Sequence, residues 1–579
     1  MSARLSRREF IKISVSAVGG SLILGFHLPA EQRVWAQTAE TTFTPNAYLR
    51  INSDNTITIL VHRSEMGQGV QTAIPMILAD EMEADWTQIR IEQAPADSVY
   101  GDQVTGGSVS ISSSFATLRM AGAAARMMLI AAAAQIWGID PSECHAEKGL
   151  IIHSEQGLSY GELAATAATL PVPRTGELQL KDSSAFRLIG TSIPNVLTPQ
   201  YVNGTAQFAI DVRLPGMLYA AVARCPVFGG KVLSYDDGQA KAIEGVRHVV
   251  EIKNGVAVVA ENSWTALEAR DLLEIVWDEG EFASQNDETM MQTFAAEIPP
   301  AEVSTAIESI YFTPYLAHAT MEPMNCTADV RPDGCDVWAP TQDRQRAKSV
   351  ATSLTGLNRD AVNIHVPPIG CGLGRRIKVD YVEEAVQISG LVGVPIKLLW
   401  SREDDIQNGA YRPATYHVLR AVLDEQGTPA HYEHHIAGQP VASAGDIAYG
   451  ASDHPYRFGD SLVRTHPVSL PIPTAYFRSV SNPTNAFARE SFLDEVAEVA
   501  GQDSYEFRMA LLRSERFKAV LETAAREAGW GNPLPEGHAQ GIAFHATWGI
   551  PVAQVAEISL SRRRLKIHRI VCAIDCGLV

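Results

Sequence analysis

Ile369-Gly370-Cys371-Gly372-Leu373-Gly374-Arg375-Arg376 alternates glycine with other residues and closes on two arginines. Glycine has no Cβ, so such a run lets backbone come close to something bulky. Guanidinium groups beside it can neutralise a phosphate or a carboxylate. The spacing is not the G-x-G-x-x-G of a Rossmann turn, and no Gly-Lys-Ser/Thr follows to make a P-loop. The two commonest nucleotide folds are therefore set aside.

Upstream of this loop, Thr327–Val330 and Cys335–Trp338 flank Arg331-Pro332-Asp333-Gly334 and predict a β-hairpin. The chain then runs through Pro340-Thr341-Gln342 into a helical stretch around Arg346–Leu354. The same grammar occurs near the N-terminus. Tyr48–Ile51 and Thr56–Val61 flank Asn52-Ser53-Asp54-Asn55, and the second strand leads into Glu65-Met66-Gly67-Gln68-Gly69. A helix follows, with Val70, Ile74, Ile77, Leu78 and Met82 on one face. In both places a strand ends, a glutamine follows in a loop, and a helix begins, which suggests an internal duplication.

Gly67-Gln68-Gly69 sits at a helix N-terminus, which favours anions, and Gln68 can both donate and accept hydrogen bonds. A second loop, Thr105-Gly106-Gly107-Ser108-Val109-Ser110-Ile111-Ser112-Ser113-Ser114, offers hydroxyls and amides of the kind a phosphate needs. A glycine turn beside a Ser-rich surface loop is the plain alternative for each. The Ala-rich, almost uncharged Leu118–Trp137 after it predicts a buried helix.

The length of 579 residues suggests about three or four domains. Hydrophobic residues make up 46% and charged residues 20%, a core-forming composition. A formal net charge of −19 argues against nucleic acid or an anionic membrane as partner. Ser6-Arg7-Arg8-Glu9-Phe10-Ile11-Lys12, followed by the apolar Ile13–Leu28 and the small-residue exit at Ala36, reads as a twin-arginine export leader over residues 1–36. No later stretch is expected to span a membrane. The cysteines are Cys144, Cys225, Cys326, Cys335, Cys371, Cys572 and Cys576; no CxxC occurs, and no zinc or iron–sulfur ligand set is visible. Residues 37–200 form a first domain whose tail, 171–200, is rich in Pro, Thr and Ser; 201–280 form a compact unit, 281–305 an acidic linker, and 306–579 the remainder.

The chain resembles the molybdenum-binding large subunits of the xanthine oxidase family. Within it, the chain is most similar to the isoquinoline 1-oxidoreductase β-subunit and to periplasmic aldehyde dehydrogenase subunits. The resemblance rests on an ordered set. Tyr201–Ala206 through Trp277-Asp278 comes first, then His318-Ala319-Thr320-Met321-Glu322-Pro323, Pro340-Thr341-Gln342 and Gly370–Arg376. Trp400–Asp404, Tyr411-Arg412-Pro413, Phe477–Val480, Glu490–Glu495 and Ala573–Gly577 follow. It implies an α+β fold: an α/β-hammerhead domain at 201–280 with mixed α/β molybdopterin-binding domains on either side. It also implies a pterin-held molybdenum, as molybdopterin cytosine dinucleotide, with no metal ligand from the protein. In this chain Gln342 would reach toward the metal, Gly372, Leu373, Gly374 and Arg375 would lie beside it, and Arg478 would face the substrate. Gly67, Gln68, Gly69, Gly107, Ser108, Ser112 and Ser113 would hold the pterin and its phosphates. A small 2Fe-2S subunit would accept the electrons, with a c-type cytochrome as a further partner. The reaction implied is hydroxylation of an aldehyde or N-heterocyclic aromatic with oxygen from water, in the periplasm.

Two departures stand out. Cys371 and Leu373 occupy positions where the family usually has Gly and Phe. The chain also stops at Asp575-Cys576-Gly577-Leu578-Val579, before the Gly-x-Gly-Glu segment that carries the family's general base. Glu322, Glu490 and Asp494 are expected to be structural. The sequence thus reads as a C-terminally truncated copy, the alternatives being a non-catalytic remnant or a periplasmic binding protein.

Overall fold

A computed structural model describes residues 22–26, 46–301 and 307–578 of the chain. The twin-arginine motif and the expected cleavage point at Ala36 lie outside them. The N-terminal sheet holds β1 (Leu22–Phe26), β2 (Asn46–Ile51), β3 (Ile57–Val61) and β4 (Ile89–Gln93), in that order. The expected hairpin is β2–β3, and β3 continues into helix α1 (Val70–Met82), which crosses over to bring β4 back parallel to β3. The stripe Val70, Ile74, Ile77, Leu78 and Met82 is buried as its spacing requires. β1 lies inside the expected leader yet pairs antiparallel with β2.

Helix α2 (Ser112–Trp137) starts six residues before the predicted one and lies across α1. At Gly122 a Cβ would stand 2.7 Å from the Leu78 carbonyl oxygen, so this crossing needs glycine. By length and composition α2 could cross a membrane, contrary to the expectation that no such stretch follows the leader; 56% of its most apolar window is buried in the protein. Its burial against α1 makes it a core helix.

The central sheet joins two regions that the sequence divides. Strands β5 (Leu218–Arg224), β6 (Val246–Ile252) and β7 (Gly255–Ala260) come from the compact unit. After β8 (Ile307–Thr313), the later chain supplies β9 (Asn325–Arg331), β10 (Gly334–Trp338), β11 (Val362–His365) and β12 (Ile396–Leu399). The order is β6-β7-β5-β12-β9-β10-β11, with β5 and β12 running parallel across the seam. Residues 201–280 are therefore continuous with the sheet beyond them. The expected linker also carries structure: Asp287–Ala296 is a helix, capped by Asn286, that buries Met290 and Phe294.

β9–β10 form the second expected hairpin; helix α3 (Arg344–Thr355) then crosses over and β11 returns parallel to β10. This is the same order of hairpin, crossover helix and parallel strand as β2–β3–α1–β4. Helix α4 (Asp380–Val392) packs on β9. The remaining chain forms a four-stranded sheet of β8, β13 (Thr415–Leu423), β14 (Pro429–Gly438) and β15 (Asp460–Pro467). A three-stranded meander, β16 (His538–Thr547), β17 (Ile550–Ser561) and β18 (Arg564–Ile574), completes it.

Candidate functional site

The turns that follow β3 and β10 meet. Ser64 Oγ donates to the Thr341 carbonyl at 3.0 Å, and the Ser64 N–H donates to Thr105 Oγ1 at 2.7 Å. Thr105 N–H donates to the Gln342 carbonyl (2.8 Å) while Gln342 Nε2 donates back to the Thr105 carbonyl (2.8 Å). Gln342 Oε1 accepts from Gly374 N–H at 3.0 Å, and its own N–H donates to the Arg376 carbonyl. Ile369 N–H donates to the Glu65 carbonyl at 2.8 Å. Loops 64–69, 104–107, 340–342 and 369–376 thus converge on one buried glutamine.

The glycine loop is close-packed. A Cβ on Gly372 would sit 2.6 Å from Gln342 Oε1 and 2.8 Å from Met66 Sδ. Gly374 has φ +99°, and a Cβ there would be 2.1 Å from the Tyr476 carbonyl oxygen. Cys371 (φ +81°) and Leu373 (φ +55°) adopt the same left-handed region without being glycine, a strain on the order of 1–3 kcal/mol each. The two arginines do not present charge to a ligand as expected. Arg375 is fully buried and makes a bidentate pair with Asp380 at 2.9 Å. Arg376 turns inward to the carbonyls of Cys371 and Glu322. Both brace the loop from behind.

Gly67, Gln68 and Gly69 also differ from expectation. Buried Glu65 accepts from the amides of Gly67 (2.9 Å), Gly69 (3.0 Å) and Gln71 (2.9 Å), so the anion at the start of α1 is the chain's own carboxylate. Gln68 is exposed and closes its own loop on Met66 N–H and the Ser64 carbonyl.

The start of α2 is different. Its N-cap residue, Ile111, makes no side-chain capping bond, and Gly107, Ser108, Ser112 and Ser113 are exposed. Beneath it lies Arg63, 3% exposed, whose Nη2 donates to Ser113 Oγ at 3.1 Å. Its ion pair with Asp102 is 3.3 Å long, and that carboxylate is largely in solvent. Arg344, 1% exposed, donates to Ser64 Oγ and the Ala94 carbonyl and has no carboxylate partner among the described residues. The Nε atoms of both arginines and Nδ1 of His62 are buried with no hydrogen-bond partner among the described residues. Burial, with Arg63 next to it, lowers Arg344 to about 9. Burial and the charges of Arg63 and Arg344 push His62 down to about 3. The region beneath α2 is therefore buried, cationic and undercompensated. Sequence reasoning does not single out Arg63, Ser64 and Glu65; the available signal is a run of four polar residues, His62 to Glu65, between the end of β3 and Met66.

Arg478 is exposed on a loop that touches the glycine loop through the Tyr476 carbonyl. The two residues after it, Ser479 (φ +69°) and Val480 (φ +59°), are both left-handed. The carboxylates expected to be structural are all engaged. Glu322 accepts from Ile210 N–H, Gly370 N–H and Asn325. Glu490 lies between Arg489 and Arg508, and Asp494 pairs with Arg508. Among the described residues no group of His, Cys, Asp and Glu is placed to hold a metal ion.

Residues 16–212 and 293–512 each match a molybdopterin cofactor-binding domain family. Over its whole length the chain is 29% identical to the isoquinoline 1-oxidoreductase subunit beta of Brevundimonas diminuta, covering 85% of that protein. It is 28% identical, again over its whole length, to a protein of Gluconacetobacter polyoxogenes named as a membrane-bound pyrroloquinoline-quinone aldehyde dehydrogenase, covering 84% of it. Among solved structures, the quinoline 2-oxidoreductase of Pseudomonas putida superposes with a TM-score of 0.50 at 16% identity, over 63% of this chain and 57% of that one. The aldehyde oxidoreductase of Desulfovibrio desulfuricans gives 0.50 at 16% identity, over 71% and 56%. The chain thus spans little more than half of either, and both likenesses concern the fold alone. The loops that meet at Gln342 fall inside the two domain matches, and the full-length likeness runs to a subunit of the same class. The chain therefore belongs to the xanthine oxidase family, as one of its molybdenum-binding subunits.

Proposed function

We propose that this chain is the cofactor-binding subunit of an exported hydroxylase acting on an aldehyde or an N-heterocyclic aromatic, with water as the oxygen source. Electrons would pass to a separate 2Fe-2S subunit, with a c-type cytochrome as a further acceptor. The observation that carries the reading is the uncapped, cationic start of α2 beside the Gln342 junction. A pterin dinucleotide needs both an anion cradle and a close backbone approach, and the orphaned nitrogens of Arg63 and Arg344 suit its phosphates. Gly107, Ser108, Ser112 and Ser113 would hold the phosphates, with Arg63 neutralising them from below. Gln342 has one amide hydrogen left after its bond to Thr105 and would offer it to the metal end, beside Gly372–Gly374. Arg478, exposed and without an ion-pair partner among the described residues, would orient the substrate. Bound, the cofactor supplies the two-electron oxidation; the chain supplies placement and charge.

The test is molybdenum and nucleotide content of the protein purified from a host that makes the cofactor. About one molybdenum and one cytidine nucleotide per chain are expected; a metal-free, nucleotide-free protein would refute the reading. Export is tested separately. Replacing Arg7 and Arg8 together with Lys should hold the protein in the cytoplasm, and an unchanged periplasmic fraction would remove that part of the proposal.

A further inference from the structure

His318 opens the motif His318–Pro323, which the proposed function leaves without a task. Its ring is 6% exposed and stands between two backbone carbonyls. Nε2 is 2.8 Å from the Tyr476 oxygen and Nδ1 is 3.1 Å from the Ala410 oxygen. Its ring lies 5.0 Å from that of Phe477, which in turn carries the Arg412 guanidinium at 5.9 Å. The Tyr476 carbonyl is the atom that abuts Gly374, and Gly374 N–H is held by Gln342. A chain of contacts therefore runs from Gln342 through Gly374 and Tyr476 to His318, and Arg478 lies two residues past Tyr476.

We propose that His318 is a positioning residue: its Nε2–H holds the Tyr476 carbonyl against the glycine loop and so fixes the base of the Arg478 loop. Two carbonyls face one imidazole, and a neutral ring has a single N–H to give. Burial first, and the nearby Arg375 charge, lower His318 to about 4, so the ring is neutral at pH 7 and must choose. The shorter contact selects Tyr476. The loop needs such a restraint, because Ser479 and Val480 hold left-handed conformations that neither side chain favours. The value of a fixed Arg478 to substrate binding rests on the proposed function; the link from His318 to the loop does not.

The two amide residues separate the two ring nitrogens. In His318→Gln the side-chain NH2 reaches the Nε2 position; in His318→Asn it reaches only the Nδ1 position. The readout is tryptic cleavage after the exposed Arg478, followed by mass spectrometry, with neither cofactor nor substrate present. His318→Asn should be nicked there about tenfold faster, since one buried hydrogen bond restrains the loop and cleavage tracks loop opening. His318→Gln should stay within about twofold of the parent, with similar melting temperatures for both variants. Equal nicking of the two variants, or no change in either, would overturn the assignment. The parent protein supplies a second measurement that needs no variant: its imidazole ¹⁵N shifts should show the Nε2–H tautomer at His318. The Nδ1–H tautomer would mean that Ala410 is the partner and the proposal is wrong.

Discussion

Helices α1 and α2 begin near each other and treat the same physical problem in opposite ways. Each exposes unpaired N–H groups and a partial positive charge at its first turn. At α1 the chain brings its own anion, with the Glu65 carboxylate taking three amides. At α2 it brings no side-chain cap and adds Arg63 from below, with His62 and Arg344 close by. The first helix is finished by folding. The second is left with buried cationic side chains that folding does not fully pair, which makes its exposed first turn the better candidate for an external anion. A Gly-rich turn before a helix is therefore no guide to phosphate until the residue that fills its amides is known.

The largest effect expected from this contrast is at Glu65. Glu65→Ala removes three charge-assisted bonds that a buried carboxylate makes to the amides of Gly67, Gly69 and Gln71, and the loss should be about 3 kcal/mol in urea unfolding. Ser112→Ala, at the start of α2, should stay within about 0.5 kcal/mol because its hydroxyl has only a 3.4 Å contact to the Val109 carbonyl. Similar costs at the two sites would erase the distinction.

The next effect is on pH dependence. His62 is neutral in the fold, with its value lowered from 6.5 to about 3 by burial and then by Arg63 and Arg344. Between those two values the unfolded chain binds a proton that the folded chain refuses. Stability is therefore full above about 6.5 and declines as pH falls, by up to about 1.4 kcal/mol per unit from this group. Burial likewise lowers His318 and His454 to about 4, so the whole protein should weaken in the same direction. His62→Gln should flatten the decline between pH 6 and pH 4. An unchanged slope would mean that His62 does not carry the penalty assigned to it.

Much of this architecture was legible because it rests on local pattern. The two hairpins, the stripe on α1 and the Ala-rich helix follow from turn chemistry and period; of the two glutamines that the repeated pattern singles out, Gln342 is buried at the junction while Gln68 is exposed and closes its own loop. Legibility failed where a side chain's partner lies far along the chain. Arg375 and Arg376 look like ligand-facing charge until Asp380, Cys371 and Glu322 claim them. Gly67 and Gly69 look like a phosphate loop until Glu65 folds back on them. The continuity of the sheet across β5 and β12 is a long-range parallel pairing that composition does not announce. β1 is the reverse case: a segment with the apolar character of a leader pairs with β2, so cleavage after Ala36 would turn β2 into an edge strand.

The smallest expected effect is the most pointed test of the contrast, because it asks whether the open helix start accepts an anion at all. Inorganic pyrophosphate presents the diphosphate of a dinucleotide without its organic groups, at a somewhat higher negative charge. A ligand that binds only the folded state raises its stability by mass action, so millimolar pyrophosphate should raise the melting temperature by a few degrees at most. The overall charge of −19 works against any anion, so a positive shift points to a local site. Arg63→Gln should abolish the shift, since Arg63 is the cation in contact with the first turn of α2. Glu65→Gln should preserve it, because the amides of α1 are a separate site. Binding should also raise the His62 value from about 3, as an anion offsets the repulsion from Arg63 and Arg344, and NMR titration would follow it. A shift retained in Arg63→Gln but lost in Glu65→Gln would invert the comparison and make α1 the anion site.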